Sequence, residues 1–132
     1  MSENPLQGMR VLVMEDEFLI AMDVEQICRD HGAREVLLAR SLDDLPPEQS
    51  DGHGFDAAVL DVMVGGQSTM ELAQVLLERR IPFVFATGYA GADGLFDAVS
   101  GVEVVEKPYA GEALMAAVVR AIEGARQSSG GV

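Results

Sequence analysis

Five short apolar runs, separated by segments of helical period, constrain this chain more than any other feature. "RVLVM", "EVLLA", "DAAVLDV", "PFVFAT" and "VEVVE" read as strands, with Pro82 tolerated at the first position of the fourth. Between them, a helix from about Glu17 to Asp30 sets Ile20, Val24, Ile27 and Cys28 on one face, and Gly32 stands where a C-cap belongs. "SLDDLPPEQ" has a capping-box-like Ser41 and Asp44, but Pro46 and Pro47 make any second helix short or broken. "STMELAQVLLERR" is amphipathic, with Leu72, Val75 and Leu76 together. "GEALMAAVVRAIEGA" repeats Leu114, Ala117, Val118, Ala121 and Ile122 at helical spacing. Strands with little polar alternation are buried on both faces. Alternating with helices, they predict right-handed crossovers and a parallel sheet covered on both sides, the doubly wound α/β class.

The length of 132 residues suits one domain with a real core. We read residues 1–9 as an N-terminal lead, 10–126 as the domain and 127–132 as a flexible tail. With 48% hydrophobic residues and a mean hydropathy of +0.17 the chain is no disordered segment. The formal charge of −13 repels nucleic acid and anionic lipid, so neither is an expected partner. The single cysteine, Cys28, excludes an internal disulfide and reads as a small buried hydrophobe. No apolar run is long enough to span a bilayer, and the first ten residues lack a secretory pattern. The expected location is the cytoplasm.

In doubly wound sheets, ligands gather beyond the carboxyl ends of the strands. Those ends here carry Glu15 and Asp16, Asp61, Thr87, and Lys107 followed by Pro108. Three clustered carboxylates repel one another unless a cation joins them. All the donors are oxygens, with no His or Cys beside them, which selects a hard ion, Mg²⁺ ahead of Ca²⁺. Such an ion retains waters that phosphoryl oxygens can replace. Thr87 and Lys107 supply hydrogen bonding and charge neutralisation, and Asp61 is central enough to attack phosphorus.

"VLVMEDE", "AAVLDVMV", "FVFATGY" and "VVEKPY" resemble, in order and spacing, the receiver domain of bacterial two-component response regulators, over about Arg10 to Ala125. The resemblance implies a flavodoxin-like, five-stranded sheet of order 2-1-3-4-5. It implies Asp61 as phospho-acceptor, Asp16 as a direct Mg²⁺ ligand, Glu15 as a ligand through water, and the Met63 carbonyl as a further ligand. Thr87 becomes the switch hydroxyl and Lys107 the phosphate-binding lysine, with a cis bond usual at the proline after it, here Pro108. "PFVFATGYA" is similar to a subgroup marked by Phe-Ala-Thr-Gly-X-Tyr sequences, often stand-alone receivers, carried here by Phe85, Ala86, Thr87, Gly88 and Tyr89. Two departures stand out. The aromatic usual three residues before the lysine is Val104 here, so Tyr89 is a candidate substitute in the switch. The glycine-rich "GYAGADGLFDAVSG" also leaves the fourth helix short or irregular.

The function implied is a single-domain phospho-switch rather than an enzyme acting on outside substrates. A histidine kinase or phosphotransfer protein would be the donor, a downstream protein the target, and a weak homodimer is among the assemblies allowed. Two rival readings compete with it. A haloacid-dehalogenase-like phosphatase shares a nucleophilic Asp, a Thr and a Lys, but wants a second acid where Met63 stands. A receiver-shaped binding module that is never phosphorylated has no need of the complete set of acids. Milder readings hold for other residues: Glu17 as an anion in the first turn of helix 1, His31 as a cation near that helix's end, the methionines as core filler. Gly65 and Gly66 are either a simple turn or room for a donor to approach.

Overall fold

The computed structural model describes residues 4–49, 52–87, 102–107 and 110–130. Strand β1 (Arg10–Met14) leads into helix α1 (Phe18–Asp30) and β2 (Glu35–Ala39). Two 3-10 turns (Leu42–Asp44 and Pro47–Gln49) precede β3 (Ala57–Asp61). A two-stranded hairpin, β4 (Met63–Val64) and β5 (Gln67–Ser68), comes before helix α2 (Met70–Glu78). Strands β6 (Phe83–Thr87) and β7 (Glu103–Glu106) and helix α3 (Gly111–Gly130) complete the described elements. The main sheet has the order β2-β1-β3-β6-β7, every pair parallel. Counting only its own strands, that is 2-1-3-4-5, the flavodoxin-like receiver arrangement expected from the sequence.

The unbroken apolar strands are explained by two cores. Successive side chains point to opposite faces, so Val11 and Val13 join Val59, Val84, α1 and α3 on one side. Leu12 and Met14 join Leu60, Phe83, Phe85 and α2 on the other. Register aligns Met14, Leu60 and Phe85 in one row, all fully buried, and Val104 ends that row on the edge strand. Phe83 and Phe85 meet edge to face at 5.5 Å, a favoured ring geometry. Cys28 is buried, and burial pushes its thiol up to about 12, so it stays protonated and inert.

Helix 1 behaves as its sequence indicates. Gly32 has φ +100, and Gly32 and Ala33 donate to the carbonyls of Arg29 and Cys28, the Schellman pattern. Pro46 and Pro47 hold the β2–β3 connection to 3-10 turns. Ser41 makes no cap hydrogen bond there, and the Asp44 carboxylate accepts from the Arg40 N–H at 2.8 Å, one residue before the cap position, so the expected box is replaced by a related turn contact.

Both ends differ from the sequence reading. Residues 4–9 do not form a free lead: Leu6 is fully buried in the α1/α3 core, and its N–H donates to the His31 carbonyl at 2.9 Å. A Cβ added at Gly32 would lie 2.8 Å from Asn4 Cβ and 3.0 Å from Gln7 Cα, so this glycine lets the lead close over the helix end. Helix α3 continues to Gly130, through residues 127–130 that were assigned to the tail. The few apolar residues of the first ten, Leu6 and Met9 among them, show no helix or strand period, whereas tertiary burial gives Leu6 a partner.

Leu6→Ala should therefore cost about 2–5 kcal/mol, the range for an emptied core leucine site. Urea unfolding checks it: a change below about 0.5 kcal/mol, the scale of surface substitutions, would mean that the N-terminal segment contributes nothing to the core.

Candidate metal and phosphoryl site

The acids of the opening strand lie just past its end, where the chain turns into α1. The Glu15 N–H still pairs with the Ala39 carbonyl of β2 at 3.0 Å, extending the sheet contact by one residue. Its side chain is 4% exposed and directed inward. Oε2 accepts the Glu17 N–H at 3.0 Å, and Oε1 accepts from Lys107 Nζ at 2.5 Å. Glu17 occupies the N-cap rather than the first turn, and its own carboxylate makes no cap hydrogen bond. Glu15 takes up one of the N–H groups at the helix start instead, so the role read for Glu17 is corrected by one position.

Lys107 also donates to Asp61 Oδ2 at 2.8 Å, which joins the ends of β1, β3 and β7 through a single ammonium. Carboxylate oxygens of Glu15, Asp16 and Asp61 all lie within 4.8 Å of one another. Three carboxylates and one lysine carry a formal charge of −2. Like charges about 4 Å apart repel by about 4 kcal/mol at an effective dielectric near 20, so the ammonium leaves repulsion that one divalent cation would cancel.

The remaining oxygens are placed to accept such an ion. Asp16 Oδ2 accepts the Gly65 N–H at 3.0 Å. Among the described residues, Asp61 Oδ1 has only the Met63 N–H at 3.4 Å, a long and weak contact. Asp16 and Asp61 each keep one oxygen without a strong hydrogen bond among the described contacts. Glu15 has both oxygens engaged and is suited to reach an ion through water. Oxygen-only donors fit a hard ion, so the cluster could hold a divalent cation.

Of the other predicted site residues, Met63 lies two residues past Asp61 in β4, its side chain partly exposed. Thr87 ends β6 in register with Glu106; the strand places its backbone, and its side chain lies outside the described set. Val104 is 40% exposed beside Phe85. Tyr89, Gly88 and Pro108 lie outside the described residues, as does the stretch read as an irregular fourth helix.

Two features go beyond the sequence reading, which offers a turn at Gly65 and Gly66 but neither the hairpin nor a role for Thr69. Gly65 and Gly66 have φ of +58 and +80 and close the β4–β5 hairpin, the two-residue turn with both central residues left-handed. That turn brings the Gly65 N–H to Asp16 and sits against Ser41, whose Cβ would be 3.1 Å from a Cβ at Gly65. Thr69, fully buried, sends its hydroxyl to the Asp61 carbonyl at 2.6 Å. One sequence signal was available: Lys107 is the only lysine among the nine Lys and Arg residues, an odd economy unless an ammonium is needed at that point.

Burial raises the Glu15 carboxyl above its ordinary range, outweighing the Lys107 hydrogen bond that opposes it. Lys107 is raised as well, because its bonds to Asp61 and Glu15 outweigh its own burial. The two directions agree physically: Glu15 is the more deeply buried partner and bears the desolvation cost, while Lys107 collects two anions.

No model of a known protein family matches the chain. A search of curated proteins likewise finds no match. Solved structures do match. A response regulator receiver protein from Sinorhizobium medicae WSM419 superposes with a TM-score of 0.77 at 23% identity, covering 91% of this chain and 98% of that one. A CheY-like response regulator receiver domain protein from Methanospirillum hungatei JF-1 gives 0.75 at 20%, covering 92% and 99%. The response regulator PhyR from Brucella abortus gives 0.74 at 24%, covering 97% of this chain and 55% of PhyR. The structural neighbours are receiver domains, and the likeness establishes the fold.

The raised Glu15 carboxyl has a consequence for stability. In the window above the ordinary glutamate range, the native state holds a proton that the unfolded chain has released, so stability falls as pH rises through that window. In chelator, the stability of wild type minus that of Glu15→Gln should decline as pH rises from the ordinary glutamate range toward neutrality. Urea midpoints across that range provide the check; a difference that grows with pH would mean that Lys107 more than offsets the burial.

Proposed function

We propose that this chain is a single-domain response regulator, in which Asp61 accepts a phosphoryl group from a histidine kinase or a phosphotransfer protein. The observation that carries the reading is the Lys107 ammonium held between Glu15 and Asp61 at the rim of a receiver-like sheet. An Asp61 carboxylate oxygen attacks phosphorus, an O–P bond forms, and the donor's P–N bond breaks, with its electron pair leaving on the imidazole. Lys107, already at hydrogen-bond distance, is placed to follow the charge onto the new phosphoryl oxygens. Glu15 keeps that ammonium at the rim. Asp16, Asp61 and the Met63 carbonyl would hold Mg²⁺, with Glu15 through water; the ion supplies charge neutralisation at the phosphoryl oxygens.

The same reading makes Thr87 the switch hydroxyl, with Tyr89 in place of the aromatic missing at Val104. Phosphorylation then shifts a two-state equilibrium in the β6–β7 face toward a downstream protein. Phe85, Ala86 and Thr87, with Gly88 and Tyr89, support placement in the Phe-Ala-Thr-Gly-X-Tyr subgroup, acting in the cytoplasm. Apart from its own phosphorylation and dephosphorylation the chain is no enzyme. The phosphatase alternative lacks support at Met63, where a general acid would be required.

Acetyl phosphate with Mg²⁺ should add one phosphoryl mass to the wild type, and Asp61→Asn should add none while keeping its circular dichroism. Millimolar Mg²⁺ should raise the melting temperature of wild type and have less effect on Asp16→Asn. Equal labelling of Asp61→Asn would remove Asp61 from its role. Turnover of p-nitrophenyl phosphate would favour the phosphatase.

A further inference from the structure

Thr69 immediately precedes α2, at the N-cap position, where a threonine oxygen ordinarily accepts an N–H of the first turn. Here it makes no such bond. Its hydroxyl points backward instead, 2.6 Å from the Asp61 carbonyl and 3.1 Å from that of Val62. The single hydroxyl proton goes to the nearer acceptor, because the Thr69 N–H already serves Val62 at 2.9 Å. Two donors of one fully buried residue thus hold two successive carbonyls, beginning with that of the acceptor itself. Forgoing a cap costs about 1 kcal/mol, an amount that the buried hydroxyl–carbonyl bond offsets.

We infer that Thr69 is a positioning residue for Asp61. This rests on the reading of Asp61 as phospho-acceptor. The two bonds fix the peptide planes following Asp61. The second of those planes carries the Met63 N–H, which lies 3.4 Å from Asp61 Oδ1, and it leads into the peptide that bears the Met63 carbonyl. Between these anchors the hairpin runs out to Gly65 and back, and its turn returns an N–H to Asp16. Thr69 therefore closes a loop that starts at the nucleophile and touches a second acid on the way. Without the hydroxyl, the Asp61 carbonyl loses its bond to α2, and the carboxylate and the Met63 carbonyl lose their fixed relation.

The test compares Thr69→Val and Thr69→Ala, which lack the donor, with Thr69→Ser, which keeps it. Labelling by acetyl phosphate should slow about ten- to hundredfold in the first two, the scale of a small misplacement of a reacting group. The Mg²⁺ concentration at half saturation, read from amide shifts, should rise, and Ser should restore both. In wild type, the Thr69 hydroxyl proton should exchange slowly enough to be seen by NMR. A role in holding up the fold alone would lower the melting temperature and leave labelling and Mg²⁺ midpoint unchanged in folded protein. That result, or a rapidly exchanging hydroxyl, overturns the inference. Wild type that takes up no phosphoryl group while Mg²⁺ still binds would remove the acceptor reading, and the positioning role with it.

Discussion

The arrangement depends on one ammonium shared by two carboxylates from strands far apart in sequence. Lys107 lies 92 residues from Glu15 and 46 from Asp61, and only the parallel sheet brings the three ends together. A parallel sheet sends every strand's carboxyl end to the same rim. Acids just after β1 and at the end of β3 and a lysine just after β7 must therefore meet if the strands pair in this order. The charge conflict at the rim follows from the topology, and so does its partial resolution by Lys107.

The rim is stiffened from beneath. In the row of fully buried side chains, Met14 and Leu60 lie one residue before Glu15 and Asp61, and Phe85 lies two before Thr87, so Asp61 and the β1 acids project from close-packed strands. The hairpin after Asp61 adds a second constraint, tied to Asp16 by the Gly65 N–H and to the acceptor by Thr69. Helix α1 begins directly after the β1 acids, and the N–H of its N-cap residue Glu17 donates to Glu15. A carboxylate at that place gains from the positive end of the helix, which helps to explain how so deeply buried an acid is tolerated.

What the sequence discloses depends on the range of the interaction. The strands, helix 1 with Gly32 as its stop, and the broken second helix are local facts of pattern and turn chemistry, and they were legible. The convergence of Glu15, Asp16, Asp61 and Lys107 was legible too, because strand ends in a parallel sheet share a rim by rule. Leu6 was not: one leucine among polar residues has no period, and its burial depends on Gly32 admitting backbone close by. The hairpin was half legible. Gly65 and Gly66 announced a turn, but strands of two residues leave no alternation to read. Thr69 carried no reading of its own in the sequence, and its hydroxyl reaches Asp61 because the hairpin folds back.

The central claim is that the three carboxylates form one divalent-cation site beside a nucleophile. Substoichiometric Mn²⁺ added to isotope-labelled protein tests it most directly, because paramagnetic broadening falls off steeply with distance. Amides around Glu15, Asp16 and Asp61 should vanish first and return when Mg²⁺ is added in excess. Broadening spread over the acidic surface, with those amides no more affected than the rest, would contradict the account.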